Sequence, residues 1–337
     1  MSISFSVLGK AGEDNALIVT VDSGQAISRV LFDCGEGCLR DQRFSDILAI
    51  DHLCFSHLHM DHVSGFDAFF RCVYDRGAKA NHIWGPPGTS AILHHRFQGF
   101  LWNLIEGREA SWRLHDLHED RIVTSRLELA EAFRALHADG ERPYEGICLA
   151  GPGYTVEAHL MDHVTPCAAY ILRETPRVNI DMAVLSELGL RPGAWLQKVR
   201  GPAAREGETI DLDGGPRSLR DLQDRLLVRS PGDSIAYLTD FLLDDEAANR
   251  LSAALRGVGT IICESQYRNA DVELARRHHH MTAAQAAALA KRAQARQLVL
   301  FHLSGRYSSD EWRELLDEAR AVFEPTALPD HWDLDAR

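Results

Sequence analysis

Residues 55–66 read FSHLHMDHVSGF and place His57, His59, Asp61 and His62 within six positions, straight after the apolar run Leu53-Cys54-Phe55. In an extended segment residues two apart point the same way, so His57 and His59 project together. Asp61 and His62 fall where the chain turns into the next helix, and they reach a second point nearby. Imidazole and carboxylate are ligands that zinc prefers. The spacing therefore suits two adjacent metal ions, against the plainer reading of a polar loop with clustered histidines. A dinuclear site needs more ligands, and these are expected at the ends of later strands, which gather on one edge of a sheet. His163 closes TVEAHLMDH, Asp240 closes SIAYLTD and His302 closes LVLFHL. Each ends an apolar run with a metal-type side chain.

The rest of the chain can support such an edge. Its 337 residues are 45% apolar and 25% charged, ordinary for a globular protein with a core. Apolar runs such as SFSVLG, ALIVTV, RVLFDCGEG, HLCFS, SIAYLTD and GTIICES read as strands. SGFDAFFRCVYD has helical spacing, TAAQAAALAKRAQARQ opens on a Thr-x-x-Gln capping box, and SSDEWRELLDEARAVF has its own serine cap. Strands and helices alternate, so the class is α/β. Residues 89–138 read as a mainly helical insertion, with TSRLELAEAFRALHAD its clearest amphipathic stripe, and the histidines there (His94, His95, His115, His118) read as surface groups. Residues 171–232 are rich in Gly, Pro and Arg, carry little strand pattern, and read as an excursion from the core. The net charge of −13 argues against a surface that grips nucleic acid everywhere, while leaving room for a local basic patch. The N-terminus lacks the pattern of a signal peptide and no window reaches the length of a membrane span. Seven cysteines without a CxxC pair fit reduced thiols in a cytoplasmic protein.

Taken together, the run His57-x-His59-x-Asp61-His62 with His163, Asp240 and His302 resembles the metallo-β-lactamase fold, and within it the ribonuclease Z (tRNase Z) branch, endonucleases that trim tRNA 3′ ends. LFDCGEGCLRDQ, IWGPPGT, MDHVTPCAAYIL, CESQY, RHHHMTAAQAA and LFHLSGRY are similar to that branch's motifs, in the right order from about residue 5 to residue 325. The resemblance implies one αββα sandwich over residues 1–337, two mixed sheets flanked by helices, with an inserted arm at 171–232. It implies two Zn²⁺, with Mn²⁺ or Fe²⁺ as alternatives. His57, His59 and His163 would hold one ion, Asp61, His62 and His302 the other, and Asp240 would bridge them. A hydroxide between the ions would be the nucleophile, oriented with help from Asp61. His280, positioned by Glu264, would protonate the leaving 3′ oxygen; the neighbouring His279 is the alternative donor.

The arm of this family grips tRNA, and relatives act as homodimers in which one subunit's arm serves the other's site. Here Arg191, Lys198, Arg200 and Arg205 are basic with no acid between Leu188 and Arg205, which suits phosphate contacts. The sequence departs from the family at Met60, which stands where a glycine is usual, at TDF around Asp240, at Cys263, and in the shortened loop GKAGEDNA, where Asn15 remains. No departure removes a metal ligand. Two further readings stay open: a metallo-hydrolase of a small phosphodiester, ester or lactone on the same scaffold, and a metal-free RNA-binding relative.

Overall fold

The structure is a computed structural model that describes residues 2–334. Its strands follow from period-two burial. In ALIVTVD, Leu17, Val19 and Val21 are fully buried while Thr20 and Asp22 are not. Eight strands form the first sheet in chain order: β1 (Ser2–Leu8), β2 (Ala16–Asp22), β3 (Ile27–Phe32), β4 (His52–Cys54), β5 (Asn81–Gly85), β6 (Ser111–Leu117), β7 (Arg121–Glu128) and β8 (His137–Pro143). β3 to β6 run parallel and the outer pairs antiparallel. The chain continues through β9 (Leu149–Gly151), β10 (Tyr154–Asp162) and β11 (Pro166–Glu174).

Residues 174–232 form a compact unit of their own. In it β12 (Arg177–Ile180) pairs with β15 (Leu227–Ser230), and β13 (Thr209–Leu212) with β14 (Gly215–Ser218). Leu185, Val199, Ile210, Leu222 and Leu226 from strands and helices make its separate core.

The larger unit resumes with β16 (Ser234–Leu238), β17 (Thr260–Glu264), β18 (Gln297–Phe301) and β19 (Thr326–Ala327). The second sheet has the order β19-β18-β17-β16-β11-β10-β9 and is mixed. Val19, Val30 and Phe32 of the first sheet share one core with Tyr170, Tyr237, Ile262 and Phe301 of the second. Helices cover both outer faces. Phe66, Phe70 and Phe97 pack with Trp112 on one side. Leu251, Ala286, Ala290 and Leu315 pack on the other. The result is an αββα sandwich. The capping boxes at Thr282/Gln285 and Ser308/Glu311 are both formed and start the helices Ala283–Arg292 and Ser309–Val322.

The mainly helical reading of 89–138 is corrected. Only Thr89–Phe97 is an α-helix there; β6, β7 and the start of β8 are the other long elements, and loops and turns fill the rest. TSRLE belongs to β7, which is hydrogen-bonded on both edges, and that pairing overrides local helical spacing. One 3₁₀ turn at Leu129–Glu131 follows, and Ala132 and Phe133 then take left-handed φ of 55° and 53°, which no helix can absorb.

The surface reading of His115 is corrected as well. It is buried, on β6, next to His82 of the adjoining β5, with His52 of β4 one strand further along. His82 Nδ1 lies 2.9 Å from His115 Nε2, His115 Nδ1 lies 2.9 Å from Thr124 Oγ1, and Trp84 Nε1–H donates to His52 Nδ1 at 3.2 Å. Burial, then the mutual proximity of the rings, pushes His52 down to about 4 and His115 down to about 2. The unfolded chain titrates these groups near 6.5, so below that pH it binds protons that the fold refuses. Their contribution is complete above about 6.5 and is lost as pH falls towards 4. The thermal midpoint should therefore drop over this range, and His52→Gln with His115→Gln should flatten the drop. An unchanged pH slope in that variant would contradict the assignment.

Candidate metal centre

The strand ends deliver the donor residues to one place. β3 runs into Asp33, β4 into Ser56 and His57, β10 into His163, β16 into Asp240, β17 ends on Glu264, and β18 runs into His302. Two glycine turns interlock beneath them. A Cβ on Gly65 would stand 2.1 Å from the Gly35 carbonyl, and one on Gly35 would stand 2.6 Å from the Asp61 carbonyl. Only glycine allows this approach. Backbone strain collects here too: Asp33, Val164, His279 and His302 all have φ between 52° and 62°.

Three groups of possible donors result, one of them His163, Asp240 and His280. His57, His59 and His163 offer atoms within 4.8 Å of one another, as do Asp61, His62, Asp240 and His302. Asp240 joins them: its Oδ2 is 3.1 Å from His62 Nε2 and 4.0 Å from His163 Nε2, and its Oδ1 is 3.1 Å from His302 Nδ1. Asp61 Oδ2 lies 3.4 Å from His62 Nε2 and 3.5 Å from His302 Nε2. All seven ligand-type residues expected from the sequence thus come together.

Hydrogen bonds behind the donors fix which nitrogen faces inward. Ser56 Oγ–H donates to Asp33 Oδ2 at 2.6 Å, so Ser56 Oγ accepts from His57 Nδ1–H at 3.1 Å. His57 Nε2 then carries a lone pair, is buried, and has no hydrogen-bond partner. His163 Nδ1–H donates to the His279 carbonyl at 2.9 Å, which leaves its Nε2 for the cluster. His62 Nδ1–H donates to Asp33 Oδ2 at 2.8 Å. This is the outer-shell pattern that orients metal-binding histidines. Burial, with His62 next, pushes His57 down to about 2 and keeps it neutral, the form that ligates a metal. Burial opposes charge on His62 and His302, but Asp240 outweighs it and holds both up, His302 to about 10. For Asp61, hydrogen bonds from His302 and His62 outweigh burial and hold the carboxyl below its usual range. A buried lone pair without a partner, beside imidazoles and carboxylates only, fits a divalent metal centre.

Glu264 and His280 stand beside the donors. His280 Nδ1–H donates to Glu264 Oε2 at 3.0 Å, and the Phe241 N–H donates to Glu264 Oε1 at 3.4 Å. Burial opposes charge on His280, and Glu264 outweighs it and pushes the imidazole up. His280 Nε2 is left free for another partner. His279 points elsewhere, its Nδ1 3.6 Å from Asp162 Oδ2. Arg191, Lys198, Arg200 and Arg205 belong to the separate unit 174–232; all four are exposed and outside any ion pair among the described residues. Asp33, Tyr237 and Asn15 were not singled out as site residues from the sequence. Tyr237 O–H donates to Asp33 Oδ2 at 2.9 Å, and Asn15 Oδ1 accepts from the His302 N–H at 3.2 Å. The turn DCGEG and the lone Asn15 were the available signals.

A model of the β-lactamase superfamily domain matches residues 28–177. The chain is 46% identical to ribonuclease Z of Deinococcus radiodurans over 330 residues, covering 98% of each. It is 31% identical to ribonuclease Z of a Synechococcus strain over 310 residues, covering 88% of this chain and 83% of that one. Among solved structures, the short form of human tRNase Z superposes with a TM-score of 0.53 at 17% identity, covering 97% of this chain and 96% of the other, a likeness of fold.

Proposed function

The chain belongs to the ribonuclease Z family, an endoribonuclease of the metallo-β-lactamase hydrolase superfamily, and we propose that its strand-end cluster is a dinuclear zinc centre that cuts tRNA precursors at their 3′ ends. The observation that carries the metal reading is His57 Nε2, a buried lone pair without a partner in a nest of donors. His57, His59 and His163 would hold one ion, Asp61, His62 and His302 the other, and Asp240 would be shared. Bound there, the ions would lower the pKa of a water to about 7 and draw charge from the phosphoryl oxygens. Mn²⁺ and Fe²⁺ suit the same donors. Asp61, whose side chain is 43% exposed, is open enough to orient the attacking water. His280, held through Nδ1 by Glu264, presents Nε2 to the leaving 3′ oxygen and supplies its proton. The water must attack opposite that oxygen, and the tRNA piece leaves with a 3′-hydroxyl. Incubating metal-loaded protein with a tRNA precursor tests the reading, with a cut at the 3′ end of the tRNA body as the expected product.

The unit 174–232 carries as many Lys and Arg as Asp and Glu in a chain of net charge −13. Its exposed Arg191, Lys198, Arg200 and Arg205 are read as the phosphate-holding face of an arm. Neutralising all four should weaken RNA binding and flatten its salt dependence by up to about 0.9 in slope for each lost duplex contact. Hydrolysis of a small chromogenic phosphodiester should stay near parent. An arm-neutralised protein that processes precursor like the parent at physiological salt would move the reading to a small-molecule hydrolase.

The enzyme is further read as a cytoplasmic homodimer. All seven cysteines are free, and no helix among the described residues is long and apolar enough to cross a membrane. Exposed Phe44, Ile92, Leu101 and Leu104 supply apolar surface for a second copy.

A further inference from the structure

Two large apolar side chains stand in the open at a site that is otherwise polar. Met60 is 80% exposed and Val164 is 83% exposed, and neither packs against any of the buried apolar clusters. Each directly follows a donor histidine. Met60 comes after His59 and Val164 after His163, and those two rings lie 5.0 Å apart. Met60 also precedes Asp61, the most open carboxylate of the donor set. Both exposed residues therefore sit one position along the chain from two donor histidines that face each other.

Neither residue is explained by the fold. Met60 opens the four-residue helix Met60–Val63 and contributes no buried surface to it. Val164 sits at φ 62°, a left-handed conformation that is an outlier for a β-branched residue. The turn holds it there: the Val164 N–H donates to Asp162 Oδ1 at 2.9 Å, and the His163 N–H donates to the Thr165 carbonyl at 3.0 Å. Glycine would make the same turn without strain. A valine in this place presents two methyl groups to solvent beside a donor histidine, and strain of that kind gathers where function over-rides local preference.

We propose that Met60 and Val164 form an apolar clamp for the nucleobase next to the scissile phosphodiester, and so help set where the chain is cut. The inference rests on the reading of the site as an RNA endonuclease. The polar donors answer the phosphate; a thioether and two methyl groups do not. They answer the face of a base, against which a polarizable thioether and methyl groups pack by dispersion. The clamp is continuous with the catalytic donors, so the substrate that reaches those donors is the molecule that covers it.

The test is a double-mutant cycle between protein and RNA. Met60→Ser removes the apolar chain from an exposed position, and Val164→Asn keeps a residue that tolerates the left-handed turn while removing its methyl groups. Metal content and thermal midpoint establish that each variant folds. Parent and double variant are compared on a tRNA precursor carrying a normal or an abasic nucleotide on either side of the cut. The parent should lose up to roughly tenfold in kcat/KM on the abasic substrate on one side of the cut, the upper end of a thioether–ring contact. In the double variant the normal and abasic substrates should differ by less than about twofold, because the contact is already gone. Equal abasic penalties in parent and variant, with precursor cleaved by both, would overturn the clamp and leave the endonuclease reading standing. A parent that cleaves no precursor would remove the endonuclease reading, and the clamp with it.

Discussion

His57→Ala and His302→Ala should each strip metal from the protein and lower turnover by at least about a hundredfold, since even changes behind the ligands cost 10- to 100-fold. The parent should carry close to two transition-metal ions per chain, and each variant fewer. The two substitutions act on opposite sides of Asp240. His57 belongs with His59 and His163, while His302 belongs with Asp61 and His62. Neither loss can be made good nearby. His57 is fully buried, and the polar groups around its ring, Ser56 and Cys167, sit at Nδ1 and not at the donor nitrogen. Asp33→Asn gives an internal control. It leaves all seven donors in place but weakens the carboxylate that receives the Ser56 and Tyr237 hydroxyls and His62 Nδ1–H. Its loss of metal should be smaller than that of either alanine variant. Metal counting by elemental analysis checks the stoichiometry independently of activity. A fully active, metal-stripped parent would defeat the whole metal reading.

The candidate donors were legible because four cluster within six positions after one apolar run and His163, Asp240 and His302 each close another, and a strand end is both a sequence signal and a place. His163, Asp240 and His302 lie far apart in the chain, yet parallel strands carry their ends to one edge. The two long C-terminal helices were legible for a different reason: their caps are local chemistry, written within four residues at Thr282–Gln285 and Ser308–Glu311. What failed depended on long-range pairing. TSRLELAEAF has helical spacing, but its first half is strand β7, paired with β6 and β8, and its second half is a 3₁₀ turn ended by left-handed residues. His115 reads as a surface histidine until the register sets it beside Trp84 and the neighbouring His82. Asn15 lies 287 residues from the backbone N–H it receives, and no local pattern announces that contact. The choice between adjacent residues, His280 with His279 as the alternative, rested on the resemblance; in the structure a left-handed turn at His279, φ 56°, sends the two rings to different carboxylates.

That turn makes the proton-donor prediction sharp. His280→Ala should slow RNA cleavage by about 10²- to 10⁴-fold, the usual weight of a positioned general acid. Metal content should stay at the parent level, because Glu264 holds His280 Nδ1 and none of the seven expected donors is removed; a loss of metal would instead place His280 as a donor beside His163 and Asp240. Glu264→Gln should slow the same reaction by less. The amide oxygen can still accept from His280 Nδ1–H, but the charge that favours the protonated imidazole is gone. His279→Ala should leave turnover close to parent, since its contribution to the site is the backbone carbonyl that holds His163 Nδ1–H. A substrate with a good leaving group separates proton donation from damage to the metal centre. The p-nitrophenolate of a chromogenic diester departs without a proton, so His280→Ala should be far less harmful there than on RNA. Equal losses on both substrates would mean that His280 serves the metal site and not the leaving oxygen. A damaging His279→Ala beside a benign His280→Ala would move the donor by one residue and put the Glu264 contact outside the chemistry.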